Sequence, residues 1–118
     1  MSISRTLNTN DHGTTDALMT PIELVEAEQL AELLQAMGDP VRLRILTALD
    51  TACVPVGAIV AATGLRQSTV SHHLRVLRDR GLVTAERRGA YVFYCCASDD
   101  IHQTLDRARD LLHAMSRP

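Results

Sequence analysis

The side chains best suited to bind a hydrogen-bonding ligand are concentrated in residues 67–80. In a helix, the serine, threonine, histidine and arginine side chains of this segment lie opposite Val70, Leu74 and Leu77. Hydroxyl, imidazole and guanidinium groups bind phosphate oxygens and base edges in the major groove of DNA. The predicted DNA-contacting residues here are Gln67, Ser68, Thr69, Ser71, His72 and Arg75.

The arginines and His73 of this segment differ in what they are expected to do. Arg75 can make a bidentate contact to guanine. Arg78 and Arg80 are equally consistent with a solvated helix face. His73 borders the apolar stripe, which favours a packed structural histidine over a DNA contact.

A second basic site is predicted in residues 82–96, which have the pattern of a β-hairpin. Arg87 and Arg88 flank its turn, and arginines in such a wing insert toward the minor groove or its phosphates. Charged hairpin tips are also common without any ligand. The neighbouring polar helix favours DNA contact, so both arginines join the predicted DNA-contacting residues.

The charge distribution supports this interpretation although the formal net charge is −2. Residues 66–88 contain six arginines against two acidic residues, whereas residues 11–50 contain eight acidic residues against two arginines. Charges farther apart than a Debye length of about 10 Å are screened, so a phosphate backbone responds mainly to the local basic segment.

Caps and apolar spacing predict the elements that position these residues. Thr20-Pro-Ile-Glu23 has the form of a capping box and predicts a helix to about Met37. Asp39 caps a second helix to about Leu49, and residues 53–56 predict a connector or a very short strand. The remaining predicted elements are a third helix at 57–63 ended by Gly64, a recognition helix at 67–80 ended by Gly81, strands at 83–87 and 91–96, and a last helix from Ser98 or Asp99 to about Met115.

The last predicted helix carries a narrow apolar seam. Its members step by four, three, four and three residues, which is typical of a helix that pairs with another helix. They are Ile101, Leu105, Ala108, Leu112 and Met115.

Length and composition bound the class of protein. With 118 residues and 46% apolar residues, the chain has room for one domain, predicted at residues 18–118 behind a mobile tail at 1–17. It shows neither a membrane-spanning apolar run nor a basic leader followed by an apolar segment, so we expect a cytoplasmic protein. Three cysteines then indicate free thiols or metal ligands. Nucleophile-elbow and phosphate-loop motifs are missing, so we do not expect an enzyme.

Three motifs together resemble the ArsR/SmtB family of bacterial metal- and metalloid-responsive repressors. They are GDPVRLRIL at 38–46, QSTVSHHLRVLRDRGLV at 67–83, and the FY that ends the wing motif at 93–94. The resemblance covers roughly residues 24–115. It implies a mainly α winged helix-turn-helix fold with a small β-hairpin wing, and a homodimer formed by the first and last helices. It also implies binding to double-stranded operator DNA through positions such as Ser71 and His72, relieved by an inducer.

The first candidate inducer site is a thiolate cluster of Cys53, Cys95 and Cys96. If the short segment at residues 53–56 pairs with the second wing strand, Cys53 approaches one or both of the others, although alternation sends neighbouring cysteines to opposite faces. Thiolates suit arsenite, cadmium, lead or zinc. Small buried hydrophobes are the plainer interpretation of cysteine. The family's CxC motif in the third helix is absent, with Pro55 and Gly57 at its positions.

The alternative site lies on the last helix. Asp100, His102 and His113 reproduce the spacing of the family's intersubunit zinc or nickel site, and neutral imidazole and carboxylate suit those ions. Ser116 stands where the last ligand is expected, and two solvated histidines are the plainer interpretation.

Three further hypotheses remain open. One is a repressor of the same fold that senses oxidants or persulfides through a cysteine, and another is a metal-independent regulator. The third is a helix-turn-helix used for protein contact, which a steep salt dependence of DNA binding would contradict.

Overall fold

The computed structural model describes residues 17–49 and 52–117, so the tail predicted at residues 1–17 lies almost wholly outside the described part. The chain divides into two compact units at the boundary between Glu32 and Leu33. The second unit contains all the elements that carry the predicted sites.

The described part contains five helices and a three-stranded antiparallel sheet. In chain order these are α1 (Leu24–Met37), α2 (Pro40–Ala48), β1 (Val54–Pro55), α3 (Val56–Thr63), α4 (Gln67–Asp79), β2 (Val83–Arg88), β3 (Tyr91–Cys96) and α5 (Asp99–Met115). The predicted fold class, mainly α with a small β-hairpin wing, is confirmed.

The start of the first helix was predicted wrongly. The helix begins at Leu24 instead of near Thr20, and the carbonyl of Glu23 accepts a hydrogen bond from the Ala27 N–H at 2.9 Å. The capping-box pattern at Thr20 therefore lies in the non-helical residues before α1. The other predicted boundaries agree with the structure to within about one residue.

The sheet has the order β1-β3-β2, so the second wing strand lies in the middle. β3 pairs with β2 along the whole hairpin, from Val83 opposite Cys96 to Arg88 opposite Tyr91. On its other edge, β3 pairs with Val54 and Pro55 of β1. The short strand thus ties the wing to the residue that begins α3.

The core of the second unit is aliphatic. α2, α3, α4 and the start of β2 contribute its most deeply buried side chains, and Leu105 adds one from α5. These side chains are Ile45, Leu46, Leu49, Ile59, Val70, Leu74, Leu77, Leu82 and Val83. Because α4 buries its whole apolar stripe in this core, its opposite face is fixed toward solvent.

Candidate nucleic-acid interface

The residues of the GDPVRLRIL motif cap α2 and connect it to the C-terminal ends of α1 and α3. The side chain of Asp39 accepts hydrogen bonds from the backbone N–H groups of Val41 and Arg42, at 2.9 and 3.1 Å, and so caps α2. Arg42 Nε donates to the carbonyl of Ala36 at 2.7 Å, at the end of α1, and Arg44 Nη2 donates to the carbonyl of Thr63 at 2.8 Å, at the end of α3. These arginines therefore satisfy helix C-terminal carbonyls.

The carboxyl of Asp39 is stabilised in its charged form. The hydrogen bond from the Arg42 N–H holds the pKa of Asp39 below its usual value, and the Val41 N–H and nearby His73 act in the same direction. His73 Nδ1 lies 3.9 Å from Asp39 Oδ2 and has no hydrogen-bond partner within the described ranges. His73 is half-buried at this contact, as its position beside the apolar stripe predicted.

The end of α4 is fixed by a Schellman motif. Gly81 has a positive φ of 77°, the Leu82 N–H donates to the carbonyl of Leu77 at 2.9 Å, and the Gly81 N–H donates to that of Arg78 at 3.0 Å. Leu82 is buried, which supplies the hydrophobic contact of the motif. The cap predicted at Gly81 is confirmed.

The exposed face of α4 carries nearly all the residues predicted to contact DNA. Five of the six predicted side chains on this helix are exposed: Gln67, Ser68, Ser71, His72 and Arg75. Thr69 is half-buried. Residue spacing puts Ser68, His72 and Arg75 directly opposite the buried stripe, the position from which a helix reads a groove.

The start of α4 lacks a side-chain cap. Arg66 occupies the N-cap position with extended backbone angles, and its side chain makes no capping hydrogen bond among the described residues. The first N–H groups of α4 therefore keep their hydrogen-bonding capacity, and a helix N-terminus with this property favours a phosphate.

The wing places its two arginines on opposite faces of a tight hairpin. Gly89, with a φ of 63°, makes the turn directly after β2. Arg88 lies over the ring of Phe93, with its guanidinium carbon 4.5 Å from the ring centroid, and pairs with Glu86 at 3.2 Å. Arg87 is exposed and has no ion-pair partner within the described part. Its guanidinium is therefore more available to a phosphate than that of Arg88, which is paired with Glu86.

A groove separates α4 from the wing. Gln67 and Ser71 of α4 line one side, and Tyr91 and Phe93 of β3 line the other, with Gly57 of α3 at its end. Tyr91 is 67% exposed, and the sequence analysis did not select it. The signal that could have identified Tyr91 is an aromatic residue directly after the predicted wing turn.

The structure brings two of the three cysteines together. Continuing the β1–β3 register places Cys53 opposite Cys95, and the structure joins them in a disulfide with a Cα–Cα distance of 4.3 Å. Both residues are half-buried. The hydroxyl of Thr84, on the neighbouring strand, donates to Cys95 Sγ at 3.1 Å.

Cys96 is separated from this pair. Strand alternation turns it to the other face of the sheet, where it packs against the core and its Sγ donates to the carbonyl of Ser98 at 3.6 Å. Burial raises the pKa of the Cys96 thiol. In the part of the chain that the structure describes, no group of three or more His, Cys, Asp and Glu side chains is placed to hold a metal ion.

The alternative ligands on α5 are spread along the helix. His102 is half-buried and its Nε2 donates to the carbonyl of Leu46 at 3.0 Å, so it connects α5 to α2. Asp100 and His113 are exposed, near opposite ends of α5. Ser98 caps the helix by accepting a hydrogen bond from the Asp100 N–H at 3.1 Å, and so Asp100 belongs to the capped first turn.

Comparisons with known proteins agree with this geometry. Residues 37–86 match a family described as a helix-turn-helix domain. The chain is 43% identical over 88 residues to the HTH-type transcriptional regulator NmtR of Mycobacterium tuberculosis, covering 75% of this chain and 73% of that protein. It is 39% identical over 80 residues to a transcriptional repressor SmtB homolog of Synechocystis, covering 68% of this chain and 61% of that protein.

A solved structure shows the same fold. It is the homodimeric winged helix-turn-helix DNA-binding domain of Mb0332 from Mycobacterium bovis, described as a possible ArsR-family transcriptional regulator. It superimposes with a TM-score of 0.66 at 30% identity and covers 75% of this chain and 82% of that one. Helices α3 and α4 and the wing thus have the arrangement of a DNA-binding domain. Among the helices in residues 17–49 and 52–117, none has the length and hydropathy of a membrane-spanning segment. The chain belongs to the ArsR/SmtB family of winged helix-turn-helix transcriptional repressors.

Proposed function

We propose that this protein represses transcription by occupying an operator as a homodimer, with α4 in the major groove and the wing against the adjacent backbone. The observation that carries the proposal is the exposed polar face of α4, set opposite a fully buried apolar stripe. The proposed contacts are Gln67, Ser68, Thr69, Ser71, His72, Arg75, Arg87 and Arg88.

Homodimerisation through α5 and α1 is supported by exposed apolar side chains on each helix. On α5, Leu111, Leu112 and Met115 are 60%, 60% and 73% exposed. On α1, Leu24 and Val25 are also largely exposed. Large apolar side chains exposed on the surface of a helix are typical of an interaction surface. In a two-fold dimer, two copies of α4 then reach half-sites about 34–36 Å apart.

The inducer is proposed to be a thiophilic ion held by the reduced thiolates of Cys53 and Cys95. Their proximity fits two soft donors, and arsenite, cadmium, lead and zinc accept such donors. Cys96 faces away, so the fit within one protomer is two thiolates instead of three. The alternative at Asp100, His102 and His113, for zinc or nickel, requires His102 to leave the Leu46 carbonyl. An ion at either site supplies binding energy for a dimer geometry that docks less well on the operator.

Substitution of Arg75 tests the assignment of the DNA-binding face. We expect Arg75→Ala to weaken operator binding by about 1–3 kcal/mol while the dimer stays intact. The duplex is enriched from a random-sequence library, and affinity is measured by fluorescence anisotropy across a salt series. Arg107→Ala removes the same charge from an exposed position on α5 and is the matched control. Equal binding by both variants contradicts the assignment.

A metal titration tests the inducer. Cadmium or arsenite should release the reduced wild-type protein from the duplex, and Cys53→Ser should abolish the release. Cys96→Ser is the matched control because its thiol lies on the other sheet face. Release by zinc or nickel that is lost in His113→Ala would instead place the ion on α5.

A further inference from the structure

We propose that Cys53 and Cys95 form a reversible dithiol–disulfide switch that fixes the base of the wing and so sets operator affinity. The proposal rests on the DNA-binding function proposed above. It assigns a redox modification site to β1 and β3.

The first argument is geometric. Opposite residues at non-hydrogen-bonded positions of an antiparallel pair have Cα atoms about 4.5 Å apart, and Cys53 and Cys95 are 4.3 Å apart. The fold itself therefore holds the two sulfur atoms within bonding reach. The two cysteines are 42 residues apart in the sequence, so the fold, and not the local sequence, brings them together.

The second argument is access. Cys53, Cys95 and their neighbour Phe93 are half-buried, and Cys95 shares its sheet face with Thr84, which is exposed. A small disulfide or thiol can thus reach the pair. Cys96 is half-buried as well, but it packs against the core on the other sheet face and is the cysteine that stays free. Thiols are kept reduced where a bacterial chromosome is transcribed, and a disulfide that forms there is usually transient or regulatory.

The third argument concerns what the bond joins. β1 is attached to β3 by only two residue pairs, Val54 with Tyr94 and Pro55 with Phe93. Directly after Pro55 comes α3, which precedes α4, while β3 is the strand that carries the wing turn. The disulfide therefore fastens the wing to the helix-turn-helix at an otherwise short junction, beside the groove lined by Pro55 and Phe93.

The chemistry requires a small-molecule disulfide as oxidant. The thiolate of one cysteine attacks that disulfide, forms a mixed disulfide and expels one small thiolate. The second cysteine then attacks the protein sulfur of the mixed disulfide and expels the other, which is protonated. Two protein thiols lose two electrons and two protons in total, and the oxidant becomes two thiols. A small dithiol reverses both steps. The closed form has no thiolate to offer a thiophilic ion, so oxidation also blocks the proposed release by metal.

The test compares the full-length protein after reduction with dithiothreitol and after oxidation with oxidised glutathione. Free thiols should fall from three to one, with Cys96 remaining. Amide hydrogen exchange in the wing should slow. Affinity for a duplex enriched from a random library should rise by about fivefold or more, because the wing arginines are held in place.

Variants make the result specific. Cys96→Ser should keep the full response, and the double variant Cys53→Ser with Cys95→Ser should lose it while still binding the duplex. The proposal is overturned if the thiol count stays at three, if wing exchange is equal in both forms, if the two affinities agree within about twofold, or if the double variant still responds. If neither form binds any duplex, the DNA-binding proposal fails, while thiol count and exchange still report whether the pair closes.

Discussion

Helices α4 and α5 are both amphipathic, yet they expose opposite kinds of surface. α4 buries all of Val70, Leu74 and Leu77 in the core of its own protomer and leaves a polar, arginine-bearing face in solvent. α5 buries Leu105 but leaves Leu112 largely exposed, so its apolar seam is only half covered. One helix is complete without a partner protein and presents hydrogen-bonding groups. The other presents exposed apolar side chains, which support its proposed role in dimerisation.

The two helices also begin differently. Ser98 caps α5 with its side chain, whereas Arg66 at the same position of α4 makes no such bond among the described residues. An uncapped N-terminus costs stability but leaves N–H groups and partial positive charge for an anion. The open N-terminus of α4 therefore adds support to the proposed DNA contact of α4, whereas the proposed role of α5 in dimerisation rests on its exposed seam alone.

The largest effect expected from this comparison is on the buried stripe of α4. Leu77→Ala should lower the free energy of unfolding by about 2–5 kcal/mol, because it leaves a cavity at a side chain that is 0% exposed. Denaturant unfolding followed by circular dichroism measures the change. Arg78→Ala, on the next residue but exposed, is the control and should change it by less than about 0.5 kcal/mol. A Leu77→Ala effect as small as that of the control would mean that α4 is not anchored by its apolar stripe.

A substitution in the exposed seam of α5 should affect dimerisation and leave the stability of the monomer nearly unchanged. Leu112→Ala should weaken the dimer by roughly 2 kcal/mol per copy, because each copy loses the burial of three carbon atoms. At dilutions where the dimer has dissociated, unfolding of the monomer should change by less than about 0.5 kcal/mol, since Leu112 is 60% exposed. Analytical ultracentrifugation measures the dimer, and an unchanged dissociation constant would place the interface elsewhere.

What the sequence predicted well was local. The stripe and Gly81 cap of α4, the Asp39 and Ser98 caps and the wing hairpin all follow from patterns within a few residues, and the structure confirms them. The sequence also singled out the motif GDPVRLRIL by its family resemblance. It did not predict that Arg42 and Arg44 donate hydrogen bonds to carbonyls at the ends of α1 and α3. Those contacts depend on how helices cross, which spacing along one helix does not specify.

The cysteine site shows where prediction from sequence ended. Pairing between the segment at residue 53 and the second wing strand was anticipated, but its register was not. A register shifted by one residue would have brought Cys53 opposite a neighbour of Cys95 and exchanged the faces of the strand. Only the observed pairing of Val54 with Tyr94 selects Cys95 over Cys96. The predicted three-thiolate site thus remains a prediction, with two of its members adjacent.

The N-cap difference gives a smaller effect. Arg66→Ser should raise the free energy of unfolding by about 1 kcal/mol, because a serine hydroxyl caps the N–H groups that Arg66 leaves open. We also expect Arg66 to contact a phosphate at this open N-terminus, so the same change should weaken duplex binding for all sequences and reduce the slope of log affinity against log salt by about 1. Stability that rises without any change in the salt slope would show that Arg66 does not contact phosphate.

The smallest expected effect is the acid response of the α2 cap, which supports α4 through the contact between Asp39 and His73. Because the pKa of Asp39 is held below the ordinary 3.8, the unfolded chain takes up the proton first as the solution is acidified. The stabilisation is therefore present above pH 3.8 and is lost as the pH falls through the lower pKa of the folded protein. Asp39→Asn keeps a capping side chain but no charge, so its melting temperature should approach that of the wild type between neutral pH and about pH 2. Parallel losses in the two proteins would mean that the charge of Asp39 does not contribute.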